Sequence, residues 1–267
     1  MPPQSPFFGG SIPANYDRHM GPWIFEPYAA DVAARIAREP PAQIIEIACG
    51  TGRVTANLQK LLPGAKITAT DFNPDMIAVA RRRVPQGSIH WQTADGQQLP
   101  FEDASFDAVI CQFGLMFMPD RSLALREMFR VLRTAGRVVF STWDRLEGNP
   151  AFLLANDLVA EFFPDEPPQF FHQPFSVHGE DVLLGMARDA GFREIRVSLV
   201  PMIGEAESAA SVASGVLEGS PMYDAIVNRD ASLLPLMLEA LEGKLREAYG
   251  DRPLRSPMQA WIVEAVK

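Results

Sequence analysis

A run of small residues flanked by acids stands where a ligand can approach the backbone. The stretch Ile44-Ile45-Glu46-Ile47-Ala48-Cys49-Gly50-Thr51-Gly52-Arg53 passes from an apolar run through a glycine-rich turn into a helical pattern. A turn of this kind lets a ligand come close and aims helix N–H groups at it. Glycines also serve turns for conformational reasons alone, so the neighbouring residues decide. The turn fails the dinucleotide fingerprint: counted from Gly50, the third small position is Thr55, and counted from Ala48 it is Arg53. It also lacks the Lys-Ser/Thr ending of a phosphate loop. Glu46 lies inside the strand, where a buried carboxylate repels a pyrophosphate but can orient a cationic ligand. Two more acids, Asp71 and Asp95 (followed by Gly96), come at the ends of later apolar runs.

For proton transfer the candidate catalytic residues are His19, His172 and His178, with Asp144 and Glu147 behind them. None has a diagnostic neighbour, and a surface or packing role competes for each. Cys49 and Cys111 form no CxxC or Cys/His cluster, so neither structural zinc nor a disulfide scaffold is expected, and no metal site is read.

The elements that must position these residues alternate. Helical spacing at Ala29, Val32, Ala33 and Ile36 stops at Pro40-Pro41. Strands are expected at Gln43–Ile47, Lys66–Asp71, 88–92, Phe106–Cys111 and Gly136–Thr142, and later at Glu194–Val200 and Gln259–Val266. Between them fall helices at Val54–Leu62, from Asn73-Pro74 to Arg82, and after Asp120 along Leu125, Met128, Phe129 and Leu132. A further helix carries Leu183, Met186, Ala187 and Ala190 and ends at Gly191. The fold class is therefore α/β, a doubly wound, mostly parallel seven-stranded sheet. Residues 1–267 read as a single domain, with 1–25 as an N-terminal arm whose first 20 residues are mobile. Two helical insertions, 145–179 and 201–256, are expected to cap the sheet. The second has Leu234, Leu238, Leu241, Leu245 and Ala248 on one face, which suits a lid over a pocket or the contact of a homodimer.

Composition narrows the function. With 24 Lys and Arg against 33 Asp and Glu the net charge is −9, which disfavours counterion-driven binding to nucleic acid or to an anionic membrane. No stretch of about 18 apolar residues and no basic, apolar leader is seen, so the expectation is a cytoplasmic protein that handles a small molecule.

In these motifs the chain resembles the class I S-adenosylmethionine-dependent methyltransferases, most closely the ubiquinone/menaquinone-biosynthesis type. Glu46 to Gly52 is similar to the family's first motif, and Asp71 sits where the family binds the ribose hydroxyls. Thr93-Ala94-Asp95-Gly96 resembles the segment facing the adenine amino group, and Phe106 to Gly114 the segment after the fourth strand. Leu132 to Val138 resembles the approach to the fifth strand, with Ala135-Gly136 where the family usually has Pro-Gly. The resemblance spans about residues 42–200 and the last strand. It implies S-adenosyl-L-methionine as cofactor, held by Tyr16, Glu46, Ala48, Gly50, Gly52, Asp71, Phe72, Met76, Asp95, Gly96, Gln112 and Phe113. Core packing competes for Met76, and a plain turn role competes for Asp95. Tyr16, His19 and Trp23 resemble residues that fold over the cofactor in relatives. Gln112, Phe113, Met116, Phe117 and Trp143 follow strand ends and should edge the transfer site, unless they are ordinary core. The implied activity is methyl transfer to a small, hydrophobic or aromatic acceptor, on oxygen or carbon. A non-catalytic or regulatory S-adenosylmethionine-binding module and a nicotinamide-dependent oxidoreductase are the alternatives.

Overall fold

Seven strands lie in the order β3-β2-β1-β4-β5-β7-β6. The computed structural model describes residues 12–84 and 89–267. The strands are β1 (Gln43–Ile47), β2 (Lys66–Asp71), β3 (Ile89–Thr93), β4 (Phe106–Gln112), β5 (Leu132–Trp143), β6 (Arg193–Ala206) and β7 (Leu254–Val266). The first five pair parallel, and β7 runs antiparallel between β5 and β6. The strand order reverses between β1 and β4, and ligands of such sheets bind beyond the strand ends at that point.

The helices are α1 (Ile12–Asn15), α2 (Glu26–Ala37), α3 (Arg53–Leu61), α4 (Pro74–Arg83), α5 (Arg121–Val131), α6 (Pro150–Phe162), α7 (Glu180–Asp189), α8 (Ala209–Glu218), α9 (Met222–Asp230) and α10 (Leu233–Tyr249). Local chemistry explains several ends. The Asn73 side chain accepts from Asp75 N at 2.8 Å with Pro74 at the first turn of α4, and Asp120 accepts from Leu123 N at 2.8 Å to cap α5. Gly191, in the left-handed region at φ 102°, follows α7.

Four expectations change. Residues 1–11, and Ser88 at the start of the third expected strand, lie outside the described residues. From Ile12 onward the N-terminal arm is ordered: Tyr16–Phe25 winds as a π-helix that buries Met20, Trp23, Ile24 and Phe25, a form that often marks functional sites. The expected insertion at 201–256 is shorter, because β6 runs on to Ala206 and β7 begins at Leu254, with Gly204 opposite Ser256. The leucine stripe of α10 is rotated: Met237, Leu241 and Leu245 are buried, packed among α6 and α8, while Ala248 is exposed. Its apolar face is therefore occupied inside the chain. The β6–β7 extension also seats the π-helix. Trp23 Nε1 donates to Ser256 Oγ at 3.0 Å, and the Trp23 carbonyl lies 2.7 Å from where a Cβ on Gly204 would stand.

Candidate functional site

The loop between β1 and α3 turns on left-handed residues: Ala48 at φ 54°, Gly50 at 53° and Gly52 at 78°. Only Gly52 is also confined by space, since a Cβ there would stand 2.9 Å from Ala80 Cβ. The loop is clipped to β2. Gly50 N donates to Asp71 Oδ2 and Asn73 N donates to Asp71 Oδ1, both at 2.8 Å. Burial pushes the Asp71 carboxyl up to about 6, against the pull of these two N–H bonds. Glu46 is only 2% exposed; the Thr55 hydroxyl donates to it. Burial lifts its carboxyl to about 8. The Cys49 and Cys111 thiols are free, buried and also pushed up by burial, which leaves them unreactive.

Two cavities open at this strand end. A polar cleft of about 330 Å³ is lined by Tyr16, Phe25, Glu46, Ala48, Gly50, Arg53 and Gln112 among others. An aromatic cavity of about 490 Å³ is built from the π-helix (Tyr16, Met20, Ile24, Phe25), the strand ends (Phe113, Trp143) and the two insertions (Phe152, Phe171, Phe175, Ser220). Tyr16 and Phe25 line both. Their rings stack with centroids 4.6 Å apart, so the pair is a shared wall. On the aromatic side Phe113 stacks on Trp143 at 3.8 Å and 3°, and Tyr28 meets both edge-on.

The wall is fastened to the glycine loop by charge. Arg53, 8% exposed, donates to Asp17 Oδ1 at 3.1 Å, to the Asp17 carbonyl at 2.8 Å and to Glu26 Oε2 at 2.9 Å. Arg83 pairs with Asp17 and donates to the Thr51 carbonyl at 3.0 Å. Gly21 makes room: a Cβ there would fall 2.0 Å from the Arg53 guanidinium. Two polar atoms of the cleft-lining side chains are buried without a partner among the described residues, Arg53 Nε and Gln112 Oε1. Gln112 Nε2 meanwhile donates to the Phe25 carbonyl at 3.2 Å.

Of the residues expected to bind cofactor, Tyr16, Glu46, Ala48, Gly50 and Gln112 line the polar cleft, and Asp71 holds the loop that forms it. Gly52 stands at the head of α3. Phe113 lies in the aromatic cavity instead, because its φ of 53° ends β4 and places the ring against Trp143. Phe117 also lines that cavity, Met116 is buried core, Met76 is buried on α4, and Phe72 is half-buried at the end of β2. Asp95 accepts from Gln97 N at 2.8 Å and so forms its own turn. A Cβ on Gly96 beside it would meet Met118 Cε at 2.7 Å. The histidines do not gather. His172 and His178 are exposed and line neither cavity, and His19 Nδ1 pairs with Ser211 Oγ at 2.9 Å on α8. Asp144 accepts from Gln259 Nε2 and Trp261 Nε1, both at 2.7 Å, tying β5 to β7. Phe25 and the role of Arg53 escaped the sequence reading. Arg53 was visible beside the loop, but its acidic partners lie 27 and 36 residues away and carry no motif.

Comparison with known proteins agrees with this geometry. The family model for a methyltransferase domain matches residues 45–140. The chain is 30% identical over 168 residues to the ubiquinone/menaquinone biosynthesis C-methyltransferase UbiE of Pasteurella multocida, covering 57% of this chain and 63% of that one. It is 33% identical over 201 residues to the O-methyltransferase cnsE of Penicillium expansum, covering 67% and 66%. The chain thus spans less than two thirds of the length of these curated relatives. In fold it is similar to phosphoethanolamine N-methyltransferase 2 of Haemonchus contortus, solved with S-adenosyl-L-methionine. The TM-score is 0.55 at 17% identity, with 89% of this chain and 52% of that one covered.

Proposed function

Residues 45–140 make this chain a member of the methyltransferase-domain family, and on that premise we propose that it methylates a small, flat, hydrophobic aromatic acceptor at carbon or oxygen. S-adenosylmethionine, the proposed cofactor, supplies a methyl group already activated on a sulfonium. What the chain's own residues contribute is position and dryness. Asp71, fixed by two backbone N–H groups, is the ionised acceptor suited to the ribose hydroxyls above about pH 6. Glu46 is the buried acid suited to a cationic neighbour. The observation that carries the reading is the shared Tyr16–Phe25 wall, which sets a polar cleft directly against an aromatic chamber.

The chamber also informs the chemistry. Of its lining residues only Tyr16 can titrate, and burial raises its phenol, so it stays a neutral hydrogen-bond donor. A chamber without a strong base suits an acceptor that brings its own nucleophile, such as an electron-rich ring carbon or an acidic phenol. The insertions 145–179 and 207–253 then act as the cap that excludes water from it.

The absence of a base among the chamber's lining residues favours one second reading, a binding module without turnover. Failure to methylate any of a panel of phenols and quinols, with cofactor bound, would select it. The test of the main reading is calorimetry with S-adenosylhomocysteine. Wild type should bind it and not NAD, and Asp71→Ala should weaken binding by about 1.5–3 kcal/mol, the worth of hydrogen bonds to a charged group. Wild-type protein that ignores S-adenosylhomocysteine at millimolar concentration sinks the reading.

A further inference from the structure

The two orphaned atoms of the polar cleft have opposite hydrogen-bonding sense. Arg53 Nε is a cationic donor, and Gln112 Oε1 is an acceptor whose orientation is fixed by the bond from Nε2 to the Phe25 carbonyl. Both side chains line the cleft. Arg53 is more than nine-tenths buried, and its other two nitrogens are already committed to Glu26 and Asp17. Buried polar groups are normally satisfied, so a facing donor and acceptor left open together mark the place of a missing partner. Glu46 lines the same cleft and adds a second acceptor there, engaged only by the Thr55 hydroxyl among its printed side-chain contacts.

A fragment that answers both atoms must present an anionic acceptor and a cationic donor a short distance apart. A phosphate presents only acceptors, and a sugar hydroxyl carries no charge to match the guanidinium. An α-amino-acid head, with its carboxylate beside its ammonium, presents both. We propose that Arg53 and Gln112 seat the α-amino-acid head of the ligand, Arg53 taking the carboxylate and Gln112 the ammonium. The proposal rests on the cofactor reading, because the methionyl end of S-adenosylmethionine is such a head. It assigns Arg53 a second task beyond anchoring the π-helix: the guanidinium joins the wall of the chamber to the bound ligand.

The experiment compares two ligands that differ in the head alone. S-adenosylhomocysteine carries it, and 5′-deoxy-5′-methylthioadenosine keeps the nucleoside thioether without it. Calorimetry on the full chain is expected to show Arg53→Gln binding S-adenosylhomocysteine about tenfold or more weakly, as fits a charge-assisted bond. The same variant should bind methylthioadenosine within about twofold of wild type. Equal losses for both ligands would mean that Arg53 only holds the π-helix, and no loss for either would mean that it touches nothing; each overturns the proposal. Should Arg53→Gln not fold, Gln112→Leu leaves the ion pairs of Arg53 intact. It is expected to lose affinity severalfold for S-adenosylhomocysteine alone, and a loss shared by both ligands overturns the assignment. Wild-type protein that binds neither ligand removes the cofactor reading itself, an outcome separate from any behaviour of the variants.

Discussion

Two buried carboxyls, Glu46 and Asp71, sit within one loop and have opposite relations to their surroundings. Asp71 receives two backbone N–H groups that hold its charge, whereas Glu46 receives one hydroxyl and little else. Its carboxyl is lifted from 4.5 to about 8 by burial first. Between those values the folded chain binds more protons than the unfolded one, so stability falls as pH rises and levels off above about 8. The slope cannot exceed about 1.4 kcal/mol per pH unit for one group. Thermal melts of the ligand-free protein between about pH 6.5 and 8.5 should show this decline, and Glu46→Gln should flatten it. A variant that melts with the wild-type slope would show that Glu46 is already ionised in the fold. The acids themselves were legible in the sequence, because a carboxylate inside an apolar strand beside glycines is unusual. Their electrostatics were not, since these depend on which N–H groups the loop turns inward. For the same reason Asp95 could be placed in sequence, but its turn with Gln97 could not.

At the scale of elements the π-helix is the segment whose order is built from distant parts. Pro13, Gly21 and Pro22 read as breakers, and the winding of Tyr16–Phe25 does not repeat every 3.6 residues. Nothing local therefore announced a helix. Its place comes from elsewhere: ion pairs to Arg53 and Arg83 at one side, and the cradle of Gly204 and Ser256 at the other. Gly204→Ala is expected to push a methyl group into the Trp23 carbonyl and to destabilise the fold by about 1–3 kcal/mol, the usual cost of overpacking. Urea denaturation measures it, and an unchanged midpoint would mean that the β6–β7 extension yields easily. By contrast, β1, β4 and α2 could be read directly, since a buried strand between glycines and an amphipathic stripe are self-contained signals. The ends of β6 and β7 were not self-contained. Their extra residues are held by pairing with each other, which alternation in either strand alone does not reveal.

In the whole molecule, the sheet supplies the floor of both cavities while the N-terminal segment and the insertions supply the roof. Sequence order announced the floor, through four motifs in succession. The roof could be expected only as surplus chain, because aromatic residues scattered from Tyr16 to Phe175 declare no common chamber until folded. None of the described helices is long and apolar enough to cross a membrane. The shared wall has a thermodynamic consequence. Tyr16 and Phe25 bound both spaces, so a shift of the pair that suits an occupant on one side alters the room on the other. The two occupants are then linked, and linkage is reciprocal: each changes the affinity of the other by one common factor. A saturating flat aromatic such as 2-naphthol is expected to change the dissociation constant of S-adenosylhomocysteine severalfold, and S-adenosylhomocysteine to change that of 2-naphthol by the same ratio. Phe25→Ala, which thins the partition, should bring the ratio toward one. A wild-type ratio of one would make the partition rigid, and the two chambers would fill as strangers.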